Sequence, residues 1–200
     1  MSIVTWDKFY DEVAPETPGA ALPIVQNAIR NAAIEFCEKS WIWRVEIEPL
    51  TVVANTTDYE LELPENGMRI VSIRYLKKDN APFTPVSSEV FLLNGGDYYS
   101  KTPDSITIRD TTAGSVITGM VIVAPTYAAT GVDDSIYQRH RNHIAAGAKA
   151  RLFSMTNVPW ADQPKSVEMK YQFDADCGSA RAAADRSFVR ATNIVRSHSF

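Results

Sequence analysis

The stretch from Asp133 to Trp160, DDSIYQRHRNHIAAGAKARLFSMTNVPW, restricts the possible folds more than any other part of the chain. Asp133, Asp134 and Ser135 bring side-chain oxygens and negative charge to a point where a starting helix has unpaired N–H groups and a positive dipole end. Behind them Tyr137, His140, Ile144, Gly147, Ala148 and Leu152 fall on one face of a helix. The middle of the stretch, Ala145 to Ala148, is unusually small. A glycine inside a helix costs about 1 kcal/mol relative to alanine, so Gly147 predicts the close approach of another backbone. Asn157 and Pro159 then stop the helix, and Trp160 closes the corner.

The preceding segments alternate between two periods. Thr5 is placed to cap a short helix bearing Trp6, Phe9, Tyr10 and Val13, which Pro15, Pro18 and Gly19 end. Pro23 suits a first helical turn, and Leu22, Val25, Ile29, Ala32, Phe36 and Trp41 mark a long amphipathic helix after it. The period then changes to two. Trp43, Val45 and Ile47 alternate with Arg44, Glu46 and Glu48, and Pro49 makes this strand an edge or a bulge. Tyr59, Leu61 and Leu63 alternate with Glu60 and Glu62, and a third strand carries Val71, Ile73 and Tyr75. These three read as an antiparallel meander. Ser87 or Ser88 caps a short helix near residues 88–93, which Asn94, Gly95 and Gly96 terminate. Residues 105–109 and 115–124 read as a hairpin turned at Thr111 to Gly114.

After the central helix, Met169, Phe173, Cys177, Ala180, Ala184, Phe188, Ala191 and Val195 form a near-heptad seam. Alternation from Val167 to Phe173 leaves a strand conceivable there, but length favours helix. The expectation is a single α+β domain over residues 1–200. N-terminal helices (1–42) and two long C-terminal helices (133–198) form a helical bundle beside a central antiparallel β-rich region (43–128).

Composition narrows the function classes. Two hundred residues, 45% of them hydrophobic, supply one ordinary core. A net charge of −4 argues against neutralising a phosphate backbone. The charge is uneven, with glutamates between Arg44 and Glu65 and four arginines against one aspartate from Arg181 onward; such asymmetry suits docking to copies of the chain or to a partner. Cys37 and Cys177 sit at helical apolar positions and read as small hydrophobes. With no signal peptide, a reducing cytoplasm is expected. No apolar run is long enough to span a membrane.

Candidate chemistry is sparse. His140 and His143, three apart on one helix, are candidate metal ligands, but structural zinc takes four ligands and the two cysteines lack paired spacing. The plainer expectation is one packed and one solvated histidine. Glu46, Glu48, Glu60 and Glu62 are candidate acids and bases, yet strand alternation points them to a solvated sheet face. Arg44, Arg74 or Lys77 would have to separate them if they face one another. Trp6, Trp41, Trp43 and Trp160 are candidate nucleic-acid stacking groups, better read as core or subunit contacts. There is neither a nucleophile elbow nor a phosphate-binding glycine loop. Arg181, Arg186, Arg190 and Arg196 avoid the apolar seam and form a candidate interaction face, unless Asp185 simply pairs with Arg181 along the helix.

Two segments carry a family likeness. HIAAGAKARLFSMTNVPWADQPKSVEMKYQFDADCGSARAAADR, from His143 to Arg186, resembles the closing part of the head-to-tail adaptor (connector) proteins of tailed bacteriophages and prophages. Gly147, Pro159, Trp160, Phe173 and the Ala180 to Ala184 run stand where that pattern has them. AIRNAAIEFCEKSWIW, from Ala28 to Trp43, is similar to the family's opening helix, and strands interrupted by a short helix match its layout. These are packing motifs that carry no chemistry.

The resemblance implies a structural virion protein of the neck, with no enzymatic activity and no cofactor or metal. Copies of the chain would form a ring, usually twelve-fold, beneath the portal protein, assembled in the bacterial host cytoplasm. The ring would extend the channel for passing double-stranded DNA without reading its sequence, and would dock the next tail, nozzle or tail-tube component. Arg181, Arg186, Arg190 and Arg196 would engage the portal, Glu46, Glu48, Glu60 and Glu62 would face the channel, and Gly147, Trp160 and Phe173 would serve packing or interfaces. The rival readings are another neck protein (a stopper or tail-completion protein), a soluble enzyme, or a nucleic-acid-binding module.

Overall fold

In the computed structural model, which describes residues 2–186, three long helices pack together against a five-stranded antiparallel sheet, with a three-stranded and a two-stranded antiparallel sheet beside it. This is an α+β fold, as the order of periodicities predicts. The strands are β1 (Ile3–Thr5), β2 (Arg44–Glu46), β3 (Leu50–Thr51), β4 (Asp58–Glu60), β5 (Met68–Lys78), β6 (Ala81–Phe83), β7 (Tyr98–Thr102), β8 (Ser105–Ile108), β9 (Val116–Pro125) and β10 (Gly131–Asp133). The helices are α1 (Tyr10–Val13), α2 (Leu22–Ser40), α3 (Ser88–Leu92), α4 (Asp134–Phe153) and α5 (Gln163–Asp185).

The helix signals act as expected. Pro23 occupies the first turn of α2, and Trp41 ends it in the left-handed conformation at φ 54°. Asp133 caps α4 by accepting from Ser135 N at 2.9 Å, and Asp162 caps α5 by accepting from Lys165 N at 3.1 Å. From residue 163 on, the alternation is helical, so no strand forms there. The corner between α4 and α5 is pinned twice: Asp162 N donates to Phe153 O at 3.0 Å, and Ser166 Oγ to Ala150 O at 2.8 Å. At the N-terminus the expected single helix is broken into two 3-10 turns flanking α1. Thr5 lends it no side-chain cap, because Ile3 to Thr5 are drawn into β1 and pair with β10.

Helix packing centres on Gly147. A Cβ there would lie 2.6 Å from two ring atoms of Phe173 on α5 and 3.1 Å from Ala32 Cβ on α2. What comes close is therefore an aromatic ring rather than a backbone. Phe173, Cys177, Ala180 and Ala184 of the seam are buried. Leu22, placed by periodicity on the buried face of α2, is instead 46% exposed at its first turn.

The strands pair differently from the sequence expectation. β9, apolar on both faces over most of its length, takes the middle of the large sheet, in the order β2-β9-β5-β6 with β3 also on β9. β2 and β5 both pair with β9 and not with each other, so the expected meander does not form. β8 pairs with β4 and β7, so the expected hairpin with β9 does not form either. The edge role predicted from Pro49 holds: the strand stops at Glu46 and resumes at Leu50, both times along β9. The five-stranded and three-stranded sheets meet where the Phe83 and Tyr98 rings stack at 5.1 Å. One buried cluster runs from the helices through the large sheet to Ile106 and Ile108 of the small one.

Candidate interaction surfaces

Helix α3 ends in bare leucines. Ser87 caps it by accepting from Val90 N at 3.3 Å, and the single turn then runs into Asn94, Gly95 and Gly96. Its C-terminal carbonyls need donors, and one side chain from β8's end supplies them. Arg109 donates to Gly96 O at 3.3 Å, to Gly95 O at 3.1 Å, to Asn94 Oδ1 at 2.8 Å and to Phe91 O. Its guanidinium also lies 4.3 Å from the centroid of the Phe91 ring. Gly96 sits at φ 64° with its α-carbon against Val86, where a Cβ would meet a methyl at 2.3 Å. The tip is thus a braced loop, yet it leaves Leu92 and Leu93 81% and 83% exposed.

The four glutamates are all exposed, and they split into two places. Val45 and Ile47 are buried, whereas Glu46 at the end of β2 and Glu48 just after it are exposed. They line a trough of about 510 Å³ across the outer face of the large sheet, with Tyr75, Lys77 and Thr118. Glu62 comes alongside through its backbone, its carbonyl accepting from Glu48 N at 3.0 Å. Glu60 belongs to β4 in the small sheet. Lys77 stays within the trough with its Nζ 5.6 Å from the Tyr75 ring. Arg44 and Arg74 leave the glutamates and converge on Asp185 Oδ1, at 3.5 and 3.4 Å.

That convergence corrects the local pairing of Asp185 with Arg181. Asp185 instead anchors the end of α5 to the sheet, and Arg181 lies flat on Trp41, with its guanidinium 3.4 Å from the ring centroid. The left-handed turn at Trp41 brings the indole under α5. Arg181 is therefore half-buried and engaged, while Arg186 is exposed. Arg190 and Arg196 lie outside the described residues.

His140 and His143 face each other instead of dividing into a packed and a solvated ring. Their Nδ1 atoms are 3.1 Å apart, so one donates and the other accepts, and both rings lie on Phe36. Burial, with the neighbouring charge of His143 and then Arg139, pushes the His140 pKa down to about 4. His143 Nε2 stands 3.8 Å from Asp176 Oδ1. Among the described residues, no three His, Cys, Asp or Glu side chains gather to hold a metal ion. Both cysteines are buried as free thiols, and burial pushes the Cys177 thiol up to about 12.

The tryptophans are structural. Trp6 is buried and donates to Ala129 O at 2.8 Å, Trp43 is buried, Trp41 lies under Arg181, and Trp160 is half-buried against the core. Among the described residues, no helix is long and apolar enough to cross a membrane. Sequence reasoning missed the exposure of Leu92 and Leu93 and the bracing role of Arg109. The available signal was Leu-Leu-Asn-Gly-Gly, two large apolar residues directly before a stop, on a helix too short to bury them. No protein-family model matches the chain, and no curated protein sequence matches it.

Proposed function

We propose that this chain is a structural assembly protein of a tailed-phage neck, a head-to-tail adaptor. It forms a ring with its own copies under the portal protein, docks the next tail component and leaves a channel for DNA. It performs no reaction, and it works in the virion at the head–tail junction. The observation that carries this reading is the braced tip: two adjacent leucines, each more than four-fifths exposed, on a loop held by four hydrogen bonds from Arg109. A rigid apolar knob of this kind is spent on contact with another protein surface. Ring closure supplies such a surface, because a head-to-tail contact presents the knob of each copy to a different patch on the next.

The layout of elements supports the same reading. A long first helix, strands interrupted by a short helix, and a Gly-waisted α4 turning at Pro159 and Trp160 into α5 are the features in which the sequence resembles the adaptors. The exposed glutamates suit a surface past which DNA slides without sticking, and Arg186 with the residues after it suits an acidic portal surface. The test is to mix the purified chain with its portal ring and image the product. A ring of copies seated directly on the portal is expected. Binding only after another neck protein has been added would make the chain a stopper or tail-completion protein, and no binding in either order would end the neck reading.

A further inference from the structure

The trough has a negative edge and a positive one. β9 supplies Thr118 and Gly119 to its middle, between Glu46 and Glu48 on one side and Tyr75 and Lys77 of β5 on the other. Glu46 stands opposite Met120, which in turn stands opposite Tyr75, and Lys77 stands opposite Thr118. Neighbouring strands lie about 4.8 Å apart, so about 10 Å separates the glutamate edge from the edge of Tyr75 and Lys77. Tyr75 is 41% exposed, and among the described residues no ion pair engages Glu46, Glu48 or Lys77.

The α3 tip carries the same charges around an apolar middle. Glu89, Leu92 and Leu93 are spaced three and four apart, so they share one face of the turn. Glu89 is exposed at its N-terminal end. Arg109, also exposed, closes the other end, where four of its five N–H groups hold three carbonyls and Asn94 Oδ1. The helix axis advances about 6 Å from Glu89 to Leu93, and Arg109 grips Asn94 just beyond. The tip thus runs negative, apolar, positive over a span close to the width of the trough. Within one chain the two do not meet, since Leu92 and Leu93 are left 81% and 83% exposed.

We infer that the trough of one copy seats the α3 tip of the next, with Leu92 and Leu93 on Tyr75, Glu89 facing Lys77, and Arg109 facing Glu46 and Glu48. The inference rests on the reading of the tip as the contact between copies, and it names the surface that receives the tip. An acidic partner would be repelled by Glu46 and Glu48, and a purely apolar one would bury both carboxylates unpaired. The occupant must therefore bring a cation beside apolar bulk, which the tip does, with an anion placed for Lys77. Tip and trough are different patches, so the contact is heterologous and each copy keeps one half free for another neighbour. The exposed charge pairs fix its orientation, while the leucines and Tyr75 supply most of its strength.

Sedimentation velocity of the full chain over a range of concentrations tests it. Leu92→Ser with Leu93→Ser removes the tip, and Tyr75→Ser with Lys77→Glu removes the trough. Neither variant should associate alone. An equal mixture of the two should form a dimer that grows no further, because only one working tip and one working trough remain. Lys77→Glu by itself should weaken association by about fivefold, as for an exposed charge pair, and adding Glu89→Lys to that chain should restore it, which a folding defect would not allow. A leucine variant that associates like the unaltered chain would show that copies meet elsewhere, and the reading beneath the inference would fall with it. A monomeric leucine variant beside a trough variant that still associates would keep that reading and overturn the inference alone. A mixture that stays monomeric or keeps growing, a charge swap without rescue, or an unaltered chain that is monomeric at every concentration would overturn it as well. All the altered side chains are exposed, so the variants should retain the fold, which circular dichroism verifies.

Discussion

A methyl group at position 147 has no space to occupy. Its nearest neighbours would be the Phe173 ring at 2.6 Å and Ala32 at 3.1 Å, and Phe173 is 1% exposed, so the ring cannot swing aside. Gly147→Ala gains about 1 kcal/mol of helix propensity but overpacks the centre of the bundle, which costs about 1–3 kcal/mol and more where nothing yields. The expected net result is a loss of about 1–2 kcal/mol in urea unfolding, partly recovered by Phe173→Leu in the same chain. Recovery would show that the ring is the obstacle. His140 gives a second prediction at this scale. Folding lowers its pKa from 6.5 to about 4, chiefly by burial, so the unfolded chain binds more protons between those values. Stability should therefore fall as pH drops from about 6.5 to about 4, with no further loss from this group below that. Between pH 7 and 5 the loss attributable to it should be about 1–2 kcal/mol. His140→Phe, which keeps a ring against Phe36, should flatten the pH dependence of unfolding by that amount.

Elements differ in how far the sequence discloses them, and the difference is one of range. α2, α4 and α5 are encoded by residues three and four apart and by caps within a turn of their ends, so periodicity and Asp133 or Asp162 suffice to find them. Strand identity is also local, and β2, β5 and β9 lie where alternation or apolar runs place them. Strand partners are not local. β9 is matched to β2 and β5, which precede it by tens of residues, and its claim on the sheet centre comes from being buried on both faces. Gly119 within it permits the carbonyl of Tyr75 to come where a Cβ would stand 2.4 Å away, beside a bulge that no pattern of apolar residues announces. Arg181 was legible as lying off the seam, but its stacking on Trp41 depended on a left-handed turn that periodicity does not reveal. α3 is the element whose order rests most on one side chain. Arg109→Ala should accelerate amide hydrogen exchange at Leu93 and Gly95 by about tenfold, because hydrogen bonds from a charged donor contribute about 1.5 kcal/mol or more. Exchange in α4 should not change.

At the scale of the whole molecule, the buried core and the exposed leucine tip are separated in space. The helices close on Phe173, where Glu35 anchors Lys39 at 2.6 Å, Lys170 at 2.8 Å and Arg151; burial pushes its carboxyl up, but Lys170 and Lys39 together hold it below the usual range. Far along the chain, Leu92 and Leu93 contribute almost nothing to that core. Replacing both with serine should change unfolding free energy by no more than about 0.5 kcal/mol, as for other exposed positions. If the tip is the contact between copies, the same double variant should fail to close rings while each copy keeps its fold. Arg181 also buttresses Trp41, so the arginine face is best tested by replacing Arg186, Arg190 and Arg196 with serine. That triple variant should close rings but sit poorly on the portal. The two variants thus fail at different steps, which electron microscopy of assembly mixtures can separate. A leucine variant that still forms full rings would remove the tip from the interface between copies, whatever the arginines do at the portal.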